Sequence, residues 1–301
     1  MVAPHPTLFS SLVPPALRVL ARAVLLLVAA TSGGCGEQGN PAPVADAAQT
    51  AATDGAATDA AATEAAAPQR GGRSTAAVTL TDEEPHASKE LGALHGTILF
   101  AGEAPARFEL GASSKPECEH HAEVDQRANE VLVSGGKLAN VYVALDSGID
   151  KAHVPPAPDT PVMLTQKGCM YVPRVLALRV GQPLRVSNDD PTNHNVHTRA
   201  KRNDPVNKNM GAQQAALEFR FDKAERPIPF ACDIHPWMGA AVFVEEHPWF
   251  AVTDEQGAFR IRDVPPGEYV VEATHEKLGK IAGKVRVAAG KSTGFTLTLG
   301  K

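Results

Sequence analysis

The sequence has few aromatic side chains, few cysteines and no long apolar run, and each shortage excludes a class of protein. Aromatic residues are 5% and charged residues 21% of the 301 positions, which is typical of neither a membrane bundle nor a fully disordered chain. No stretch reaches the roughly 20 apolar residues of a transmembrane helix. A net charge of -5 lacks the basic excess of nucleic-acid-binding proteins, so no nucleic-acid partner is expected. Four cysteines are too few for a disulfide scaffold.

The amino terminus has the pattern of an export signal. Arg18 and Arg22 precede the apolar run Ala23–Ala30, and small residues lead to Cys35. A basic start, a short apolar stretch and a small-residue cleavage site are typical of a secretory signal. Small residues before a cysteine resemble the lipobox of bacterial lipoproteins. That resemblance implies a signal peptide over 1–34, lipidation of Cys35, and an exported protein anchored in a membrane, facing the periplasm or the cell surface. A plain signal peptide with an incidental cysteine is the alternative.

Residues 35–90 are predicted to be a disordered tether. They are rich in Ala, Thr and Asp, and no Lys or Arg occurs from Gly36 to Gln69. A stretch with so few large apolar side chains cannot bury enough surface to offset its chain entropy. We therefore expect the folded part to begin near Leu91.

From Leu91 onward the pattern predicts an all-β fold. In Leu217–Phe221, apolar and charged residues alternate, which is the period of a half-buried strand. Turn residues recur at short spacing, as in β-sandwiches. A short helix near Glu119–Arg127 is the one exception. The candidate strands are Thr97–Phe100, Val131–Val133, Val141–Leu145, Val162–Thr165, Val175–Val180, Leu184–Ser187, Leu217–Phe221, Ile228–Cys232, Ala241–Val244, Ala258–Arg262, Tyr269–Thr274, Gly283–Val287 and Gly294–Leu299.

Two short segments carry metal-binding chemistry. Cys232, His235 and Met238 fall within seven residues after a candidate strand, so one loop can bring thiolate, imidazole and thioether together. One His from the segment Ser187–His197 would complete a His₂Cys set with a weak axial Met, which is the ligand set of a blue-copper site. Zinc is the main competitor, but Met is a poor zinc ligand.

These residues resemble the cupredoxins. The motif Cys-x-x-His-Pro-aromatic-Met, starting at Cys232, is similar to their carboxy-terminal ligand loop. The stretch His194–His197 is similar to the one that carries their first copper histidine, and so is the Val-Gly-x-x-Leu-x-Val-x-Asn pattern that begins at Val180.

The resemblance implies a Greek-key β-sandwich over residues 91–247 and one copper ion that cycles between Cu(I) and Cu(II). It implies a role for Asn195 beside the ligands, where it braces the cysteine loop. It also implies a redox partner protein, whose identity stays open. The implied copper ligands are His194, Cys232, His235 and Met238.

Several roles have alternatives. His197 could replace His194 as ligand, because strand alternation turns one of the two inward. Cys232 could be a buried free thiol, since free Cys is often fully buried. Trp237 is expected to pack in the core or, alternatively, to belong to an apolar collar for a partner. The edge of His235 is expected to be the exit for electrons toward a partner, and its loop is expected to be the most exposed part of the site.

Cys118 and Cys169 remain after the lipid and copper assignments. An oxidising compartment favours a disulfide between them. The alternative is a second metal site, because Cys118-Glu119-His120-His121 clusters donor groups; adjacent His residues on a strand would point to opposite faces, which weakens it. Proteins related to the cupredoxin part often carry His where this chain has Arg174, so a second site that uses that His is not expected here.

The carboxy-terminal residues 248–301 resemble another module. The run Phe250–Phe259, which leads to Val264-Pro265-Pro266-Gly267-Glu268-Tyr269, is similar to the carboxypeptidase regulatory-like domain, a small transthyretin-like β-sandwich. In that family the module is non-catalytic, and no His-Glu-x-x-His peptidase motif occurs here.

Together these features predict an exported, lipid-anchored copper protein that transfers single electrons and is not an enzyme. Ala231 and Asp233 flank Cys232, whereas oxidases and nitrite reductases resemble multi-copper arrangements with a His-Cys-His bridge. The alternatives are copper binding or delivery without redox turnover, and a structural envelope protein built from β-modules.

Overall fold

The computed structural model describes residues 78–121 and 123–300, so the predicted signal peptide, Cys35 and most of the predicted tether lie outside the described residues. Within this part of the chain there is no α-helix, and no helix is long and apolar enough to cross a membrane. The short 3-10 helices are Gly111–Ser114, Pro116–Cys118 and Lys151–His153. The strands are β1 (Thr79–Pro85), β2 (Gly92–Ala101), β3 (Val133–Ser134), β4 (Lys137–Leu138), β5 (Tyr142–Ser147), β6 (Val162–Lys167), β7 (Met170–Val172), β8 (Val175–Arg179), β9 (Leu184–Asn188), β10 (His194–Thr198), β11 (Asn207–Met210), β12 (Leu217–Phe219), β13 (Glu225–Ala231), β14 (Gly239–Glu245), β15 (Phe250–Val252), β16 (Ala258–Val264), β17 (Gly267–His275), β18 (Gly279–Val287) and β19 (Lys291–Gly300).

The all-β prediction is confirmed, and every predicted strand overlaps an observed one. The strands β1, β4, β7, β10, β11 and β15 were not predicted, because they are short or polar. The helix expected near Glu119–Arg127 is absent from the described residues; Arg127 instead forms a β-bridge with Glu109. Strand β1 lies within the predicted tether, where all its residues are exposed and it pairs with β19.

The first sandwich is formed by two sheets from the middle of the chain. One has the order β11-β10-β13-β14-β8 and the other β12-β9-β6-β7. Their inner faces enclose a core that includes Leu164, Leu178, Val186 and Val242. The candidate ligands Cys232 and Met238 belong to this same core.

The second sandwich takes strands from both sides of the first in sequence. One sheet has the order β1-β19-β2-β4-β3, with β16 also paired to β2, and the other has the order β15-β5-β17-β18. The predicted division at residue 247 therefore differs from the observed one. Strands β2 and β5 lie inside the predicted range 91–247, yet β2 pairs with β19 and β5 with β17. The physical reason is that these pairings complete sheets that residues 248–301 alone would leave with open edges.

Strand β14 explains how the two sandwiches meet. Its residues Val242 and Val244 face the first core, while Ala241 and Phe243 face a separate cluster with Tyr142 of β5. Tyr142 and Phe243 stack with ring centroids 4.2 Å apart. A strand that is covered on both faces reads as a continuous apolar run rather than an alternating one.

The predicted metal ligands lie where several loops of the first sandwich converge. His194 begins β10, and Cys232–Met238 connects β13 to β14. The turn Gly168–Cys169 joins β6 to β7, and Asp189 and Asp190 follow β9.

Candidate metal centre

The loop Cys232–Met238 is held in shape by its own backbone. The pairing of Ala231 with Gly239 fixes its ends. Inside the loop, the amide of Met238 donates to the carbonyl of His235 at 2.9 Å, and the amide of Cys232 donates to the carbonyl of Met238 at 3.3 Å. The loop thereby turns its sulfur and imidazole groups toward the core.

Three donor atoms converge between this loop and the start of β10. The Nδ1 atoms of His194 and His235 are 2.9 Å apart. The Sγ atom of Cys232 lies 4.0 Å from Nδ1 of His194 and 3.9 Å from Nδ1 of His235. His194 has no solvent exposure, and Cys232 and His235 have 2% and 3%.

These separations suit one metal ion bound by all three side chains. Metal bonds of about 2.0–2.1 Å to nitrogen and about 2.3 Å to sulfur place the ligand atoms of one ion roughly 3–4 Å apart. Met238 is 1% exposed and lies in the same core as Cys232, so the loop also supplies a thioether. A buried His₂Cys set with a thioether nearby is a donor set for copper.

The electrostatics favour the ionised form of the thiol. Burial raises the pKa of Cys232, but hydrogen bonds from His194 and from backbone groups outweigh it, so the pKa is lower than usual. Burial also opposes protonation of His194, yet its hydrogen bonds to Asp190 and Cys232 raise its pKa. For His235, burial and then the repulsion from His194 lower the pKa.

Asp190 is a functional residue that the sequence reasoning did not single out. Its Oδ2 atom lies 2.8 Å from Nε2 of His194, and both side chains are completely buried. Its carboxylate also accepts the backbone N–H groups of Gly168 and Cys169, at 2.7 and 2.9 Å. Burial raises the pKa of Asp190, but these hydrogen bonds outweigh it and leave the pKa below its usual value. A carboxylate that accepts from Nε2–H fixes the tautomer in which Nδ1 is free to bind a metal.

The polar side chains beside Cys232 form a second supporting group. The amide of Asp233 donates to Oδ1 of Asn195 at 2.5 Å, and Nδ2 of Asn195 donates to Asp233 and to Asn207. Asn195 therefore joins the strand of His194 to the loop of Cys232. His197 faces away from the three donor atoms and pairs with Asp233 at 2.9 Å, near the surface.

The loop of His235 has exposed residues, such as Ile234 at 50%, but the edge of His235 that was expected to be the exit for electrons is buried. This side chain is 3% exposed, and its Nε2 atom lies 3.9 Å from Sγ of Cys169. Cys169 is bonded to Cys118 in a disulfide. The described residues of the segment 102–130, which are 102–121 and 123–130 and which we call the cap, include Cys118, and the disulfide holds them against the candidate metal centre. The disulfide confirms the pairing that the sequence analysis favoured, but its contact with His235 joins residues far apart in the chain and leaves no local pattern.

The disulfide also bears on the proposed second metal site. Because Cys118 is bonded to Cys169, its sulfur does not serve as a thiolate ligand with His120 and His121. His121 instead lies 3.7 Å from Asp190. Arg174 is buried and bonds to Glu276 of the second sandwich.

Trp237 belongs to the ligand loop, and its ring packs against the cap. Its ring centroid is 5.3 Å from that of His235, and its Nε1–H donates to the carbonyl of Cys169 at 3.0 Å. A Cβ atom added to Gly111 of the cap would lie 2.5 Å from the Trp237 ring. Trp237 therefore has the packing role that the sequence predicted first.

Residues 234–300 match the family model of the carboxypeptidase regulatory-like domain. This confirms the resemblance inferred from the run that begins at Phe250. The match starts before the predicted boundary at residue 248 and includes β14. A search of curated proteins found no match.

Cupredoxins are among the solved structures similar to this chain. The purple cupredoxin from Nitrosopumilus maritimus is similar over 28% of this chain and 98% of its own, at 20% identity and a TM-score of 0.24. An amicyanin variant in its Cu(I) form is similar over 34% of this chain and 98% of its own, at 23% identity and a TM-score of 0.27. A copper-containing nitrite reductase from Thermus scotoductus SA-01 is similar over 50% of this chain but only 28% of its own, at 18% identity and a TM-score of 0.27. At these values the neighbours do not decide what this chain binds.

Proposed function

We propose that this chain is a copper protein that transfers single electrons through one mononuclear centre. The observation that supports this function is the convergence of three buried donor atoms, Cys232 Sγ and the Nδ1 atoms of His194 and His235, within 4.0 Å of one another. Met238, buried in the same loop, would add a thioether to these three donors.

Each ligand and its supports have a definite task. A bound copper ion would supply exchange of one electron between Cu(I) and Cu(II). Cys232 provides a thiolate whose pKa is already lowered by His194. Asp190 holds His194 with Nδ1 directed at the site, and Asn195 ties Cys232 to the strand of His194. Because the ligands are fixed by these bonds, they need not move when the charge changes, and outer-sphere transfer is not slowed by rearrangement.

Copper is favoured over zinc by the donor set. Structural zinc sites usually take four Cys or His ligands in a tetrahedron. His197 faces Asp233 and not the donor atoms, so it does not supply a fourth Cys or His ligand. A thioether suits copper better than zinc.

Absorption and electron paramagnetic resonance of the full-length protein loaded with Cu(II) test the proposal. We expect an intense blue colour and a narrow copper hyperfine splitting, both lost in Cys232→Ser. The variant His197→Gln is the matched control, since His197 lies outside the donor set, and it should keep the colour. A colourless copper-loaded protein whose spectrum does not change in Cys232→Ser would refute the proposal.

Copper capture or delivery without redox turnover is the second candidate. A delivery protein has to release its ion to another protein, which requires an accessible ligand. The three donor residues here are at most 3% exposed, which favours a retained ion. Retention of copper against a chelator for many hours would support electron transfer, whereas rapid exchange would favour delivery.

The proposal includes export, a lipid anchor on Cys35 and a redox partner protein, and it does not include catalysis. The basic start, the short apolar run and the small residues before Cys35 support export. The disulfide between Cys118 and Cys169 fits an oxidising compartment. Cell fractionation and mass spectrometry of the mature amino terminus test this part, with Cys35→Ser as the variant that should lose the lipid and leave the membrane fraction.

A further inference from the structure

The cap lies against the candidate metal centre at His235 through the disulfide and Gly111. Cys118 and Cys169 have no exposure and share one core with Met238. The Cys169 sulfur lies 3.9 Å from Nε2 of His235. When Nδ1 binds a metal, the proton of a neutral imidazole is on Nε2, so this N–H group faces a sulfur atom and not water.

Several bonds hold the cap in this position besides the disulfide. Gln126 donates from Nε2 to the carbonyls of Cys118 and Gly168, at 2.7 and 3.1 Å. Within the cap, Asp125 accepts from Arg107 at 2.7 Å and from Arg127 at 2.8 Å. The Gln126 bonds join the cap to the turn Gly168–Cys169.

That turn is itself tied to the other ligand histidine. Gly168 and Cys169 both have positive φ, of 59° and 52°, as in the two-residue hairpin turn with the mirror-image type I geometry. Only a well-supported site keeps a non-glycine residue in this conformation. The support comes from the disulfide and from Asp190, which accepts both N–H groups of the turn and also bonds His194.

We propose that the Cys118–Cys169 disulfide positions His235 and that the cap it holds excludes other molecules from the edge of this ligand. The proposal rests on the proposed function, since it assumes that His235 binds copper. It means that the centre rejects small exogenous ligands and that a redox partner does not approach through His235. Specificity for electron exchange is therefore set by the cap, a segment outside the ligand loops.

Two variants open the cap in different ways. The double variant Cys118→Ser/Cys169→Ser removes the covalent link and the sulfur next to His235. The variant Gly111→Ala keeps the disulfide but places a Cβ atom 2.5 Å from the Trp237 ring, so the cap has to shift. The variant Gly211→Ala is the matched control, because the nearest atom to its added Cβ, Oε1 of Gln214, lies at an ordinary 3.5 Å.

The probes are free imidazole and azide, added to the copper-loaded full-length proteins and followed by absorption and electron paramagnetic resonance. We expect the spectra of the wild type and of Gly211→Ala to stay unchanged. The spectra of Gly111→Ala and of the double variant should change at probe concentrations about tenfold or more below the highest one that leaves the wild-type spectrum unchanged. A tenfold difference corresponds to about 1.4 kcal/mol of lost exclusion. The reduction potential of the double variant should also shift, because the group facing Nε2–H of His235 has changed.

The outcomes separate this inference from the proposed function. If the wild type turns blue with copper but responds to imidazole at the same concentration as Gly111→Ala, the cap does not exclude small ligands. That result would refute this inference and leave the proposed copper centre standing. A wild type that never forms a blue copper centre would instead overturn the proposed function. If the double variant fails to fold, Gly111→Ala decides the result with the disulfide in place.

Discussion

Asp190 and His194 face each other inside the protein, with Oδ2 and Nε2 2.8 Å apart and neither side chain exposed. We predict that Asp190→Asn weakens copper binding by about 10–100-fold, the range typical of carboxylates that support a ligand histidine. In either orientation the NH₂ group of the asparagine faces a backbone N–H donor. If it points toward His194, it faces the N–H of Cys169; if it points away, it faces the N–H of Gly168. Competition with a chelator of known affinity measures the effect.

The neighbouring residue provides the control for this prediction. Asp189 carries the same charge but is exposed, so Asp189→Asn should leave the copper affinity unchanged. Equal losses in the two variants would mean that the general negative charge of the loop matters, and not the contact with His194.

Glu225 should make stability depend on pH. Its carboxylate accepts the backbone N–H groups of Lys201, Arg202 and Asn203, at 2.6, 3.0 and 3.1 Å. Burial raises its pKa, but these hydrogen bonds outweigh it and lower the pKa in the folded state. The stabilisation of the folded state by this carboxylate is therefore complete above the pKa of glutamate in the unfolded chain, about 4.3. It is lost as the pH falls through the lower pKa that Glu225 has in the folded state.

We predict that Glu225→Gln lowers the free energy of unfolding by about 1–3 kcal/mol at pH 7, because buried N–H donors lose their charged acceptor. The difference from the wild type should shrink as the pH falls below the usual glutamate pKa. Urea unfolding of the metal-free protein at pH 7 and at about pH 3 measures it. Glu218→Gln, at an exposed ion pair, should cost little at either pH. A deficit that is the same at both pH values would contradict the titration of Glu225.

Arg174 and Glu276 should contribute strongly to the contact between the two sandwiches. Nε of Arg174 donates to Oε1 of Glu276 at 2.6 Å, and Nη2 donates to Oε2 at 2.9 Å. Since the pair is largely buried, Arg174→Met leaves a carboxylate without its partner and should cost about 3–5 kcal/mol. The double variant Arg174→Met/Glu276→Met should recover much of that loss, as measured by chemical denaturation. Additive losses would show that the pair does not act as a unit.

The cysteines should titrate in two steps. In a chain with Cys35→Ser, we expect one reactive thiol under denaturing conditions without reductant, because Cys232 is the free cysteine among the described residues. Reduction should raise the count to three as Cys118 and Cys169 open. A colorimetric thiol reagent measures both values, and Cys232→Ser lowers each by one. Three thiols before reduction would exclude the disulfide.

The sequence by itself determined the fold class and the identity of the ligand loop. Alternation of apolar and charged residues has a period of two in any strand with one solvated face, so strands such as β12 and β16 can be read locally. The spacing of Cys232, His235 and Met238 is likewise local, since one short loop must hold all three. The continuous apolar run of β14 predicts a strand but not the second core that it faces.

Only the tertiary structure decided which histidine joins the loop and what surrounds it. His194 and His197 are equivalent by composition, and the pairing of β10 with β13 turns His194 inward and His197 toward Asp233. The cap, Asp190 and the addition of β2 and β5 to the second sandwich depend on contacts between residues far apart in the chain. Such contacts leave no periodic signal, because they are set by which sheets pack together and not by the neighbours of a residue in sequence.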